Sequence, residues 1–103
     1  MLVLSNQRSS AHVFTVETGM PIGPPLTHAG IVNQASFSPD GRYVVTASDD
    51  ATAQIWKVGS GEKVATMTHQ AEVKSAAFSA DGKKILTASW DTTAQFWDME
   101  FAP

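Results

Sequence analysis

Histidine, threonine and aspartate recur in this sequence in two sets with identical spacing, which are His28, Thr46, Asp50 and His69, Thr87, Asp91. An imidazole between a hydroxyl and a carboxylate can activate the hydroxyl as a nucleophile, so these residue types suggest a catalytic triad. An active site is normally built once, whereas this set occurs twice, 41 positions apart (28 to 69). The duplication therefore favours a structural role for the six side chains.

Metal-binding patterns are weak in the same sequence. The chain contains no cysteine, which excludes a disulfide framework, a cysteine nucleophile and a cysteine-based metal site. Its three histidines, including His12, do not have zinc-site spacing, and His12 is interpreted as a solvated strand residue. Asp49 and Asp50, with Asp40 nearby, lack the alternate ligand positions of a calcium loop. We expect no metal and no cofactor.

A repeat of 41 residues organises the chain, because segment 28–68 is followed position by position by segment 69–103. The identical pairs are Phe37/Phe78, Ser38/Ser79, Asp40/Asp81, Gly41/Gly82, Thr46/Thr87, Ala47/Ala88, Ser48/Ser89, Asp50/Asp91, Thr52/Thr93, Ala53/Ala94, Gln54/Gln95 and Trp56/Trp97. A period of this size indicates a repeat architecture.

A weaker third copy lies upstream, where residues 11–28 align with residues 53–69 if one residue is inserted. Leu4, Arg8 and Phe14 stand in it where the later copies carry Thr, Asp and Trp. The first copy keeps the spacing of the repeat but loses its polar residues. Such a loss would be tolerated at the end of a repeat array.

Each copy carries signals for short strands. In the first full copy, apolar positions lead to Phe37, Ser38-Pro39-Asp40-Gly41 predicts a turn, and residues 43–47 form a β-branched run. Residues 53–58 and 64–67 predict two further strands. Gly or Pro interrupts every segment before it reaches helical length. The sequence therefore predicts four strands per period and an all-β fold with almost no helix.

Four antiparallel strands in each period of about 40 to 45 residues are the pattern of a propeller blade. The FSPDG turn, the TAS-x-D-x-T-x-x-x-W run and Trp97-Asp98 resemble the WD-repeat β-propeller family over nearly all 103 residues, although Thr-His replaces the family's leading Gly-His. The resemblance implies a degenerate partial blade with strands two to four in 1–27, a complete blade in 28–68, and a blade without its outer strand in 69–103.

The family resemblance also implies a hydrogen-bonded tetrad of His, Thr, Asp and Trp in each full blade. The two tetrads are His28, Thr46, Asp50, Trp56 and His69, Thr87, Asp91, Trp97. An indole only donates and a carboxylate only accepts, whereas imidazole and hydroxyl groups do both, so a chain of partners satisfies all four groups when they are buried. We expect loss of Asp91 to destabilise the fold by leaving its partner unpaired.

Partner binding is the function that the resemblance favours, since such propellers present a rigid rim of loops. The rim positions that it implies are Ile31, Asn33, Asp49, Glu72, Lys74 and Trp90. Trp90 replaces Asp49 of the sister repeat, so packing common to both blades does not require an aromatic residue there. An exposed Trp is a typical anchor for a partner. Contact of Trp90 with a neighbouring loop or a second copy is the alternative.

The number of expected strands bears on whether the chain forms a complete propeller. Three, four and three strands do not close a ring, because propellers have about four to eight blades. The end blades would expose unpaired edges, which pair or aggregate. Three interpretations are open: a truncated or relict fragment, self-assembly of two or three chains into a composite propeller, or docking into a larger partner. We favour self-assembly because one repeated contact buries every face, although neither twenty nor thirty strands give only complete blades.

Other functions have less support. Some propellers carry hydrolase or lyase sites in the central channel, but the inner strands lack paired carboxylates. Their polar residues are Asn33, Gln34, Glu72, Lys74 and Ser75. A formal net charge of −3 disfavours nucleic acid, and no apolar run is long enough to cross a membrane. The start of the chain lacks signal-peptide features, so we expect a cytoplasmic protein-interaction scaffold and no enzyme.

Overall fold

The computed structural model describes residues 9–15 and 17–98 with their side chains and residues 2–7 as backbone. Arg8, which the repeat alignment places at a tetrad position, lies outside the described residues, and so does the end of the third segment, 99–103. The described part of the chain is all-β and contains no helix, as the sequence predicts. None of its elements is therefore a helix that could span a membrane.

The described strands form three antiparallel sheets in which the strands follow chain order. The first sheet contains β1 (Leu2–Gln7), β2 (Ser10–Thr15) and β3 (Leu26–Thr27). The second sheet contains β4 (Val32–Phe37), β5 (Tyr43–Ser48), β6 (Thr52–Lys57) and β7 (Lys63–Thr68). The third sheet contains β8 (Val73–Phe78), β9 (Lys84–Ser89) and β10 (Ala94–Asp98). Val58, which the pattern assigns to a strand, lies in the turn after β6.

The Ser-Pro-Asp-Gly sequence builds the tight turn between β4 and β5. The hydroxyl of Ser38 donates to Asp40 Oδ1 at 2.6 Å, and the same oxygen accepts from the backbone N–H of Arg42 at 3.0 Å. Gly41 has a φ of 75°, which few residues other than glycine adopt without strain. Ser79, Asp81 and Gly82 repeat these contacts between β8 and β9. The turn chemistry thus sets both hairpins.

The second sheet is covered on both faces. On one face, Val45, Ala47, Ala53 and Ile55 have no exposed surface and belong to a cluster with residues of the third sheet, which are Val73, Ala76 and Ile85. On the other face, Val44 and Trp56 belong to a cluster with residues of the first sheet, which are Ala11, Val13 and Leu26. Because neighbouring strand residues point to opposite faces, all of β5 is buried. The three sheets therefore form a stack with the second sheet in the middle.

The hairpin of β1 and β2 has a register that the repeat alignment does not predict. Ser5 pairs with His12, whereas Thr46 pairs with Gln54, the residue that aligns with His12. Ser5 and not Leu4 therefore occupies the backbone position equivalent to Thr46, and the alignment of Leu4 with this threonine is wrong. The physical reason is a connection between β1 and β2 that is one residue shorter than the connection between β5 and β6.

The innermost strand of each full repeat contains an irregularity at the same position. The register shifts between Val32 and Gln34 in β4, and between Val73 and Ser75 in β8. Asn33 and Lys74 are the extra residues at these shifts. A bulge redirects the side chain of its extra residue. Both residues belong to the rim that the family resemblance implies.

Candidate functional site

The first tetrad is assembled between the segment before β4 and strands β5 and β6. The Nδ1 atom of His28 lies 2.9 Å from Asp50 Oδ2, and its Nε2 atom lies 2.5 Å from the hydroxyl of Thr46. The indole N–H of Trp56 donates to the same hydroxyl at 2.9 Å. Since an indole cannot accept and a carboxylate cannot donate, the donors run in one direction, from Trp56 through Thr46 and His28 to Asp50.

The second tetrad repeats this geometry in the third sheet. His69 lies 3.1 Å from Asp91 through Nδ1 and 2.7 Å from the Thr87 hydroxyl through Nε2. Trp97 donates to that hydroxyl at 2.8 Å. The His and Trp rings are 6.0 Å apart in both tetrads. The structure therefore brings together all eight residues that the resemblance assigns to tetrads.

The tetrad threonines are poorly placed to act as nucleophiles. Thr46 and Thr87 have no exposed surface. Each hydroxyl already accepts from a tryptophan while it lies beside a histidine nitrogen. A nucleophile must reach its substrate, and these hydroxyls lie inside the sheet stack. The geometry supports a role in holding strands together.

The tetrad aspartates also shape the turn that follows β5 or β9. Asp50 accepts from the backbone N–H of Thr52 at 2.9 Å, from the Thr52 hydroxyl and from the backbone N–H of Ala29. Burial acts to raise the pKa of Asp50, but the hydrogen bonds from Thr52 and His28 outweigh it and hold the pKa below its usual value. In the third sheet, the hydroxyl of Thr93 holds the pKa of Asp91 well below its usual range.

Four of the predicted rim residues lie in one connected group, the rim cluster, which consists of Asn33, Asp49, Lys74 and Trp90. The Asp49 carboxylate accepts from the Asn33 amide and from the Lys74 ammonium group, each at 2.8 Å. The Lys74 ammonium lies 4.0 Å from the centroid of the Trp90 ring. These contacts, with Lys74 first, hold the pKa of Asp49 below its usual value. The rim cluster thus joins loops of the second and third sheets.

Trp90 is mostly open to solvent, with 67% of its surface exposed. The ammonium group of Lys74 lies over its ring, and such a cation–π contact contributes about 0.5 to 1 kcal/mol at an exposed site. The same ammonium group forms an ion pair with Asp49 at 2.8 Å. Trp90 is therefore not a core residue, and its ring is restrained while a large apolar surface stays available.

The other two predicted rim residues flank the cluster at equivalent positions. The carbonyl of Ile31 accepts from the backbone N–H of Asp49 at 2.8 Å, and the carbonyl of Glu72 accepts from that of Trp90 at 3.0 Å. The side chain of Ile31 is exposed, whereas Glu72 is partly buried. Both residues thus position the loop residues of the rim cluster through their backbone.

Two inner-strand residues join the second sheet to the third, a role that the sequence does not reveal. The side-chain oxygen of Gln34 accepts from the backbone N–H of Ala76 at 2.9 Å. The amide of Asn33 donates to the carbonyl of Val73 at 2.9 Å. Both partners belong to β8, about 40 residues further along the chain, so no local pattern signals these contacts. Across the described residues, no group of three or more His, Asp or Glu could hold a metal ion.

The sequence profile of the WD40 family, described as "WD domain, G-beta repeat", matches residues 21–57 and 61–98. The first match runs from the connection before β3 to the end of β6, and the second from the connection before β7 to the end of β10. Each matched repeat therefore contains the outer strand of one sheet and three strands of the next. This offset means that every repeat spans two neighbouring sheets.

Similar proteins include Ribosome assembly protein 4 of Saccharomyces cerevisiae, which is 41% identical over 46 residues, and Nuclear distribution protein PAC1 of Arthroderma otae, which is 39% identical over 69 residues. The alignments cover 45% and 65% of this chain but only 9% and 15% of those relatives. Among solved structures, the computationally designed Ika4 protein has a TM-score of 0.84 at 22% identity, covering 94% of this chain and 59% of that one. The structural likeness supports the fold alone.

We predict that Thr46→Val destabilises the protein by about 1 to 3 kcal/mol. The change keeps the side-chain shape but leaves the Trp56 N–H and the His28 Nε2 without their buried partner. Urea unfolding followed by tryptophan fluorescence measures the free energy. Thr66→Val, at an exposed position of the outer strand of the second sheet, is the control and is expected to have little effect. Equal stability of both variants would contradict the structural role of the tetrad.

We predict that the stability contributed by Asp91 disappears in acid. Its folded pKa lies below the ordinary carboxyl value of about 4, so the charged form stabilises the fold at neutral pH. This contribution is lost as the pH falls from about 5 through the lowered pKa. Wild type should therefore exceed Asp91→Asn in unfolding free energy at pH 7, and the difference should shrink on acidification. A difference that stays constant with pH would refute this linkage.

Proposed function

We propose, because the chain belongs to the WD40 repeat family, that it is a non-catalytic scaffold for protein–protein interaction whose partner contacts the rim cluster. The matched relatives are named for ribosome assembly and nuclear distribution. A further relative is the Taf5 subunit of the SAGA and TFIID complexes of Schizosaccharomyces pombe. A role in multiprotein assemblies agrees with these names.

The observation that carries this proposal is the exposed Trp90 in a restrained rim. A partner that covers Trp90 gains a large apolar contact, and the contact with Lys74 reduces the conformational freedom that binding would remove. The position is an aspartate in the sister repeat, so the fold itself does not require the aromatic ring. Binding is a reason for a tryptophan at this site.

An enzymatic function has less support from the arrangement of polar groups. The hydroxyl groups of the triad-like sets are buried in the tetrads, and the inner-strand residues Asn33 and Gln34 are engaged in contacts to β8. The Asp49 carboxylate, which contacts Asn33 of an inner strand, is paired with Lys74. A paired carboxylate with a lowered pKa is a poor general base near neutral pH.

We further propose that two or three copies of the chain associate to complete a propeller. The three sheets form an open stack, whereas propellers close with about four to eight blades. The alternative, a fragment of a longer WD-repeat protein, is supported by the small share of the relatives that the chain matches. The expectations of a cytoplasmic location and of no nucleic-acid or membrane partner stay predictions from the sequence.

We predict that Trp90→Ala leaves the thermal stability nearly unchanged but weakens partner capture. The ring is exposed, and surface substitutions usually change stability by about 0.5 kcal/mol or less. Melting temperature and affinity capture with quantitative mass spectrometry are the measurements. Met20→Ala removes another exposed apolar side chain outside the rim cluster and serves as the control. A set of captured proteins identical for wild type and Trp90→Ala would contradict rim binding.

We predict that the purified chain has the mass of two or three copies in light scattering after size exclusion. Association covers the open faces of the stack, and one repeated contact suffices for a symmetric ring. Dilution should shift the mass towards a single chain. A single-chain mass at every concentration would eliminate self-association and leave the fragment interpretation.

A further inference from the structure

The outer face of the third sheet is apolar and open to solvent. Phe96 and Leu86 expose 70% and 43% of their surface, and Ala77 and Ala94 on the same face are exposed. Phe96 pairs with Leu86 across β10 and β9, so the two side chains form one patch. Ile85 points the other way, is fully buried and belongs to the cluster with the second sheet.

The central positions of the equivalent face of the second sheet are buried. Four of its residues, which are Val45, Ala47, Ala53 and Ile55, have no exposed surface because the third sheet packs on them. At a spacing of 41 residues, the third-sheet equivalents are Leu86, Ala88, Ala94 and Phe96. Three residues of the exposed patch, Leu86, Ala94 and Phe96, therefore stand at positions that make the contact between the second and third sheets. The side chains of the patch are apolar, as in a face that packs against another sheet.

The outer face of the first sheet corresponds to the opposite face of the second sheet, which carries Val44 and Trp56. Ala11 and Val13 of β2 are buried against the second sheet, so Ser10, His12 and Phe14 lie on the opposite face and are partly exposed. Phe14 aligns with Trp56. Trp56 belongs to the second sheet and packs in one cluster with Ala11 and Val13 of the first sheet. The rings of His12 and Phe14 are stacked, with centroids 6.2 Å apart. The outer face of the first sheet is therefore equivalent to the face of the second sheet that packs against the first sheet.

We propose that the outer face of the third sheet docks onto the outer face of the first sheet of a second copy of this chain. Two contacts join neighbouring sheets of the stack. In each of them, the face that carries Ala53 and Ile55, or their equivalents in the repeat, packs against the face that carries Val44 and Trp56, or their equivalents. The proposed contact continues this pattern from one chain to the next. It is head to tail, so copies related by a closing rotation form a ring. This inference rests on the proposed self-association and names the surfaces that carry it.

Phe96→Asp tests the patch by light scattering after size exclusion, with circular dichroism to show that the variant is folded. A charge at the centre of the contact should convert the oligomer to single chains, because a buried unpaired carboxylate is strongly unfavourable. Thr66→Asp adds the same charge at an exposed position of the outer strand of the second sheet and should leave the oligomer intact. If Phe96→Asp assembles as wild type does, self-association stands and this docking surface is wrong.

Cross-linking tests the polarity of the contact without altering Phe96. The chain has no cysteine, so Ala94→Cys and His12→Cys each introduce a single thiol, on the third and first sheets respectively. A short bismaleimide should join the two variants when they are mixed and should not join either variant to itself. Dimers of Ala94→Cys alone would indicate that like faces meet, which overturns the head-to-tail contact. An oligomer without the mixed cross-link would overturn it as well.

Discussion

A β-sheet that is apolar on both faces must be covered on both faces, and the rest of this structure depends on that requirement. The second sheet meets it, because Val44 and Trp56 pack against the first sheet while Val45 and Ile55 pack against the third. Burying each large aliphatic side chain contributes about 1.5 to 3 kcal/mol, so the stack is favourable wherever a neighbour exists. Among the described residues, the first and third sheets each pack against one neighbouring sheet, the second.

The tetrads connect this packing to the rim. Each one ties the segment before an inner strand to the two strands that follow it, and its aspartate also holds the turn in which the rim residue lies. Asp49 directly precedes the tetrad residue Asp50, and Trp90 directly precedes Asp91. Since the tetrad restrains these turns, Asp49 can hold Lys74, and Lys74 can hold the ring of Trp90. A buried polar network therefore supports the turns that carry Asp49 and Trp90 of the rim cluster.

The boundaries of the WD40 repeats do not coincide with the boundaries of the sheets, and this offset links neighbouring sheets to each other. Each matched repeat begins with the outer strand of one sheet and ends with the third strand of the next. Strand β7 therefore completes the second sheet while it belongs to the repeat that forms the third. The link is covalent, and the contacts of Asn33 and Gln34 to β8 reinforce it from the inner side.

The sequence by itself determined the all-β fold and the turn signals, because these depend on local chemistry that repeats at a constant spacing, and its resemblance to the WD-repeat family implied the eight tetrad residues. Ser38 and Gly41 define a turn wherever they stand, and a repeat of 41 residues shows which side chains recur. Only the tertiary structure decided that Ser5 stands at the position equivalent to Thr46, since strand register depends on hairpin length and not on alignment. It also decided that Lys74 joins Asp49 to Trp90, and that Phe96 lies exposed where Ile55 is buried. The contact of Lys74 with Asp49 and the exposure of Phe96 depend on which sheets are neighbours in space. Lys74 and Asp49 are 25 positions apart and lie on different sheets, so no local pattern signals their contact.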